Sequence, residues 1–393
     1  MTSFTDVPPQ RWLATIGACT AGVLLAMTVH NTVAAPRAHR GGTSRRDVTV
    51  CIPARNEVHT LPALISDLRR QDTDHHVRVL ILDDASTDGT AAAASEAIGG
   101  DPRFEVRASD AEPPPGWVGK QWACQRLADH AAGGQSASAR TGILVFLDAD
   151  VRVSPVALDA AVHALDSSTA DLVSIWPHQE TGTVAEHLIQ PLLAWSWLAT
   201  APVRLANRSL RPSLAVACGQ FLATSTSTYQ AVGGHASIRG SLVDDLDLAR
   251  EYRRHGRQTA VVLGRQVASC RMYSSAATLR AGHGRWLGHA FGGPVSTAMV
   301  LTGIAVTQIL PVLLVRARDP RTRALARAGY ASLVASRLLA SQVERGGTPR
   351  RARIASALAH PAGAAGVIAL VLDSRARHRR GEATWRSRPL PRP

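Results

Sequence analysis

Cysteine is scarce and scattered in this chain. The five residues (Cys19, Cys51, Cys124, Cys218 and Cys270) are odd in number and form no CxxC pair. That spacing argues against a zinc ribbon and a disulfide framework, and it favours reduced thiols used as packing residues. Aromatics are sparse at 4%, and acids are outnumbered, with 30 Asp and Glu against 44 Lys and Arg and a net charge of +14. A charge of that size invites a nucleic-acid reading, but its distribution argues against one. Arginines crowd Arg37–Arg46 and the region beyond Arg316, beside apolar runs. Basic flanks of membrane spans look like this, so no nucleic-acid partner is expected. There is no internal repeat.

At 393 residues the chain is long enough for one large domain or two ordinary ones. Trp12–Ala35 carries no charge and is long enough to cross a bilayer. A signal peptide cut after Val33-Ala34-Ala35 would leave Pro36 just beyond the cleavage point, which is unfavourable, so an uncleaved anchor is the expectation. Pro36–Asp47 is a basic linker. From Val48 onward short strands (VTVCIP, VRVLILDD, GILVFLDAD) alternate with helical spacing at Thr60–Gln71, Thr87–Ile98 and Pro155–Leu165. This alternation predicts an α/β domain with a mostly parallel sheet covered on both faces. After Tyr273, Val295–Val315 is a second uncharged run of spanning length, and Ala355–Leu372 is a weaker one. Ala324–Val343, with Arg327 and Arg337, reads as a span, an interfacial helix or a helix packed on its neighbours. Three segments are therefore expected: an anchor and linker over 1–46, a catalytic domain over 47–275, and an interfacial and transmembrane region with a basic tail over 276–393. Two to four spans are compatible with the sequence, and the oligomeric state is not legible in it.

Four polar features fall at strand ends, where ligands bind an open parallel sheet. IPARNE (Ile52–Glu57) joins a strand to a helix, and LDDASTDGT (Leu82–Thr90) puts Asp83 and Asp84 at a second strand end. In LVFLDADVRV (Leu144–Val153), residues two apart in an extended chain point the same way, so Asp148 and Asp150 are expected to face together. Unpaired, they would repel; a divalent cation bridging a nucleotide's phosphates removes that penalty. In SLVDDLDLAR, Asp244 and Asp245 precede a helix. One of them can cap it, and the other can take a proton from an attacking oxygen. Between these lies the stiff loop PPPGWVGKQWAC (Pro113–Cys124), which delivers Lys120 as a point charge for phosphate. It also delivers Trp117 and Trp122, for stacking or packing.

As an ordered set, IPARNE, LDDASTDGT, GWVGKQWAC, FLDADV, GQFLA with AVGGH, and the aspartate pair before LDLA resemble the family 2 glycosyltransferases. These are inverting enzymes of the GT-A fold, with a Rossmann-like, mostly parallel sheet, and the match runs over about Val48–Trp286. The resemblance implies a nucleotide-diphosphate sugar donor, UDP- or GDP-linked, with Mg2+ or Mn2+. It implies that Pro53, Arg55, Glu57, Asp83, Asp84, Lys120 and Asp148 bind the donor. Asp150 would hold the metal with help from Asp148, and Asp245 would be the base beside Asp244. Trp117, Gln220, Arg285 and Trp286 would serve the acceptor or the diphosphate. The base motif departs from the usual Glu-Asp, and GHGRW (Gly282–Trp286) has Gly282 where polymerising members carry Gln. That departure argues against a polysaccharide synthase.

Within the family, the GWVGK loop, the GGH segment, the layout and the terminal TWRSRP look most like bacterial carotenoid- and hopanoid-associated enzymes. That likeness implies transfer of one sugar to a lipid or terpenoid acceptor by a multi-pass cell-membrane protein, with its catalytic domain on the cytoplasmic side. The alternatives are sugar transfer to a polyprenyl phosphate, or a non-catalytic membrane protein with a degenerate domain.

Overall fold

The computed structural model describes residues 8–42, 44–109, 111–133, 142–343, 346–382, 384–385 and 388–389. It opens with α1 (Pro9–Ala34). Then β1 (Asp47–Ala54), α2 (Leu61–Arg69), β2 (His76–Asp84), α3 (Thr90–Ile98), β3 (Phe104–Ser109) and α4 (Gly119–Ala132) follow in strict alternation. β4 (Ile143–Leu147), β5 (Val151–Val153), α5 (Ala157–Asp166), β6 (Leu172–Trp176), β7 (His178–Gln179) and α6 (Val184–Thr200) come next. β8 (Phe221–Ser225), α7 (Asp244–Arg254), β9 (Thr259–Leu263), β10 (Ala268–Cys270) and α8 (Ala276–Trp286) complete the α/β part.

The strands follow from their two-residue period. Along β1, Val48, Val50 and Ile52 enter one core while Cys51 enters the other. Val79 and Ile81 against Leu80 and Leu82 in β2, and Val145 against Leu144 and Phe146 in β4, repeat the pattern. Both faces are apolar because both are covered. Leu61, Leu64, Ile65 and Leu68 of α2, with Leu158 and Ala161 of α5, close the first. Leu127 of α4 with Leu248 and Tyr252 of α7 close the second. Truncating Leu64, which is fully buried, would cost about 2–5 kcal/mol.

The main sheet has the order β3-β2-β1-β4-β8-β6-β9. β8 alone runs antiparallel to its neighbours, and the other pairings are parallel. The order reverses between β1 and β4, which opens a crevice at their carboxyl ends. A small second sheet has the order β5-β10-β7.

Two expectations need correcting here. The strand that leads to Asp148 stops at Leu147, and Asp148-Ala149-Asp150 is a tight turn closed by Val151 N donating to Asp148 O (3.1 Å). Asp148 and Asp150 are therefore brought together by a turn and not by strand alternation. Helix α3 starts at Thr90 and not at Thr87, because Asp88 accepts from the backbone of Thr90 (3.0 Å) and Val58 (3.2 Å) and holds the preceding residues in a loop.

The C-terminal part contains α9 (Pro294–Leu313), α10 (Pro320–Val343), α11 (Arg350–Leu358), α12 (His360–Arg380) and a hairpin of β11 (Thr384–Trp385) and β12 (Arg388–Pro389). Helices α1 and α9 are long and apolar enough to cross a membrane. The weaker candidate at Ala355–Leu372 is not one straight helix, since α11 and α12 meet at a 69° bend. Helix α10 packs along α1. A Cβ on Gly329 would lie 3.1 Å from Ala18 Cα, and Thr28 and Ser336 share a hydrogen bond of 2.8 Å. Small residues permit such close helix approach. Asn31 at the end of α1 donates to Leu198 O (2.8 Å) and Ala201 O (2.7 Å), so α1 is tied into the α/β domain.

Candidate active site

The chain leaves β1 through Pro53 and makes a turn with Asn56 at φ 54°, a left-handed conformation that Asn tolerates. Three hydrogen bonds stitch this turn to the end of β2: Asn56 N to Ser86 Oγ (2.9 Å), Glu57 N to Thr90 Oγ1 (2.9 Å) and Thr87 N to Asn56 Oδ1 (2.9 Å). IPARNE and LDDASTDGT are thus one structural unit. Within it the two aspartates separate: Asp83 accepts from Ser86 N (3.1 Å) and shapes the turn, while Asp84 lines the crevice.

The crevice is a cleft of ≈ 620 Å³. Of the residues singled out in the sequence, Pro53, Arg55, Glu57, Asp84, Lys120, Asp148, Asp150, Gln220 and Arg285 line it. Its far wall is Arg271, Tyr273 and Gly282. Asp83, Asp244, Asp245, Trp117 and Trp286 are not among the lining residues, and Asp244 is linked to the cleft through Lys120. Trp117 packs edge-on against Trp122 (5.1 Å), and Trp286 packs on His283 (5.5 Å).

Lys120, in the first turn of α4, joins the acidic motifs. Its Nζ lies 2.8 Å from Asp148 and 3.2 Å from Asp244. Burial works against the Lys120 ammonium, but Asp148 and Asp244 overcome it and hold its pKa well above the usual value. Burial likewise disfavours the Asp244 carboxylate, and Lys120, with His235 and Arg285, outweighs that and lowers its pKa. Asp245 has the opposite balance. Burial, then the neighbouring Asp244 charge, push its pKa up to about 6, against the backbone N–H groups of Leu246 (2.7 Å) and Gly219 (3.0 Å) that donate to it. Neighbouring carboxylates with pKa values driven apart are the arrangement in which one can act as a base near neutrality. A Cβ on Gly219 would sit 3.3 Å from both Lys120 Nζ and the Asp245 Cβ, so glycine suits this tight approach.

Three features escaped the sequence reading. Lys120 is the only lysine among the 44 Lys and Arg residues of the chain, a signal that was available. Gln179 of β7 donates to Gln220 Oε1 (2.7 Å) and fixes the amide at the cleft. Arg388 of the terminal hairpin pairs with Asp84 and, at 3.0 Å, with Glu112, and Thr384 lines the cleft. Of the TWRSRP stretch, Arg386 and Ser387 lie outside the described residues.

The donor set also bears on a metal. Among the described residues no group of three or more His, Cys, Asp or Glu side chains is arranged to hold one. Mg2+-type sites on nucleotides need one or two carboxylates, with phosphate oxygens and water completing the shell. Asp148 and Asp150, both on the cleft, meet that requirement.

A mostly parallel sheet with carboxylates gathered at its switch point defines a class, the GT-A-fold glycosyltransferases. A mannosyltransferase from Pyrobaculum calidifontis, solved with GDP-Man and Mn2+, matches this fold with a TM-score of 0.56 at 19% identity, over 94% of this chain and 98% of that one. Residues 49–233 match the family model described as Glycosyl transferase family 2. The chain is also 28% identical, over 241 residues, to a 4,4'-diaponeurosporenoate glycosyltransferase of Staphylococcus haemolyticus, a match spanning 60% of this chain and 59% of that relative. A glucosyl-3-phosphoglycerate synthase from Mycobacterium tuberculosis, solved with Mn2+, uridine diphosphate and phosphoglyceric acid, matches with a TM-score of 0.39 at 20% identity, over 70% of this chain and 87% of that one.

Proposed function

We propose that the cleft transfers one sugar from a nucleotide-diphosphate donor to a lipid or terpenoid acceptor, with inversion at the anomeric carbon. The observation that carries this reading is Lys120, whose single ammonium contacts Asp148 of the metal turn and Asp244 of the base motif. In this reading one side chain's reach spans both the diphosphate chemistry and the proton removal.

In this reading the nucleoside lies between the β1 and β2 turns, against Pro53, Arg55, Glu57 and Asp84. Asp150, with Asp148, would hold a divalent cation, which supplies charge neutralisation for the departing diphosphate. Lys120 and Arg285 add fixed positive charge at the same place. The acceptor oxygen forms its bond to the anomeric carbon as the bond to the diphosphate oxygen breaks. Its proton passes to Asp245, and the nucleoside diphosphate leaves. An acceptor that is a carboxylate carries no proton at neutral pH, and Asp245 then positions it. The acceptor named in the 28% identical relative is of that kind. The apolar helices α1 and α9 support membrane association; a multi-pass arrangement with the catalytic domain on the cytoplasmic side is part of the proposal.

The test is incubation of membranes from expressing cells with radiolabelled UDP- and GDP-sugars, followed by lipid extraction and mass spectrometry against a deletion strain. A product stable to mild acid with one added hexose supports the proposal. A mild-acid-labile phosphodiester would replace it with transfer to a polyprenyl phosphate.

A further inference from the structure

We infer that a second cavity, separate from the cleft, binds a phosphate oxyanion, either free or carried by a lipid head group. It lies where α6, α10 and α11 meet β7, shares no lining residue with the cleft, and holds ≈ 40 Å³. That is room for about three waters, or one tetrahedral phosphate.

Its chemistry is cationic. Arg337, 3% exposed, and Arg353 both line it, along with His178, His187 and Ser341. No carboxylate lines it among the described residues, and Glu344 lies outside them. Arg337 donates to Ser356 Oγ (3.0 Å). The Nε and Nη1 atoms of Arg353 are buried and make no hydrogen bond among the described residues. Arg353 as a whole is half-buried, but buried guanidinium N–H groups left in that state are costly unless an anion completes them. The planar fork of arginine matches phosphate oxygens two at a time. The first turn of α11, which contains Ala352 and Arg353 and has no side-chain cap, adds its positive end.

Its position favours a membrane-borne ligand. Arg337 follows Ser336, which is hydrogen-bonded to Thr28 near the domain end of α1 and to Trp195 (2.7 Å). The cavity therefore sits at the level where an apolar helix of spanning length gives way to the α/β domain, which is where head groups lie. Gln179, on the cavity wall, is the residue that holds Gln220 in the cleft, so an occupant would touch the same wall as the acceptor side of the active site. The site does not depend on the chemistry proposed for the cleft.

The experiment uses the full-length protein in detergent, with thermal unfolding followed against inorganic phosphate at constant ionic strength. A saturable rise in Tm is expected, with the apparent Kd at least tenfold weaker in Arg353→Gln. Arg353→Lys, which keeps the charge, should retain part of the response, and the cleft variant Arg285→Gln should retain all of it. Native mass spectrometry after reconstitution in phosphatidylglycerol nanodiscs separates the sources. Retained phosphatidylglycerol that is lost in Arg353→Gln assigns the site to a head group; phosphate binding without retained lipid assigns it to free phosphate. Absence of both, or a response unchanged by Arg353→Gln, overturns the inference.

Discussion

Arg388 of the C-terminal hairpin forms an ion pair with Asp84 at the end of β2, bridging 304 positions of sequence. Burial raises the Asp84 pKa, and Arg388 opposes that shift by charge and hydrogen bond. The tail thus closes one end of the cleft and offsets part of the burial cost of a carboxylate beside the proposed nucleoside site. Arg388→Ala should raise the donor KM about 3- to 10-fold with little change in kcat, the pattern of lost ground-state binding. Steady-state kinetics with varied donor checks this. A lowered KM would show that the arginine competes with the donor.

Lys120 offers a sharper test because it stands alone among arginines. Its compact ammonium fits between Asp148 and Asp244 beside Gly219, where a planar guanidinium would not. Lys120→Met leaves those carboxylates facing each other without compensation and should cut kcat/KM by roughly 100-fold or more, the scale of losing an electrostatic stabiliser. Lys120→Arg should rescue little of that loss. Because the carboxylates hold the amine protonated, an amine-directed acylating reagent at pH 8 should modify it slowly, and donor with Mn2+ should slow it further. Mass spectrometry of the single lysine peptide reads this directly.

How much of this was legible in the sequence depended on range. The strands and helices of the α/β part were legible because their apolar periods are local, and the motif residues at strand ends follow from them. Asp148 and Asp150 were rightly paired for a wrong local reason, since a turn and not a strand unites them. The Arg388–Asp84 and Gln179–Gln220 contacts join segments far apart in one chain. A single sequence has no local pattern that pairs them. The break at Ala359 did have a local signal, Pro361 in the first turn of α12, which the apolar run around it masked.

Asp245 should set the acidic limb of the pH profile. Its pKa is raised to about 6, so below that pH the carboxyl is protonated and cannot accept a proton. With a hydroxyl acceptor, kcat/KM should therefore climb with pH through about 6 and level off above it. Asp245→Asn should abolish that limb and lower the plateau by about 10²–10⁴-fold, the usual contribution of a general base. With a carboxylate acceptor the limb should be shallow and the loss smaller. Profiles measured with both acceptor types distinguish proton removal from positioning.

Gly282 and Tyr273 fix the far wall of the cleft. A Cβ on Gly282 would overlap the Tyr273 ring, so the tyrosine occupies the volume a larger residue at 282 would need. Gly282→Gln should destabilise the protein by about 1–3 kcal/mol through overpacking, read as a lowered Tm. The double variant Gly282→Gln/Tyr273→Ala removes the ring and should recover most of that stability. If the glycine mattered only for helix flexibility, the two substitutions would add instead of compensating, because neither would then relieve the other. Compensation in Tm, together with a changed acceptor KM and an unchanged donor KM, would assign this wall to the acceptor side of the cleft.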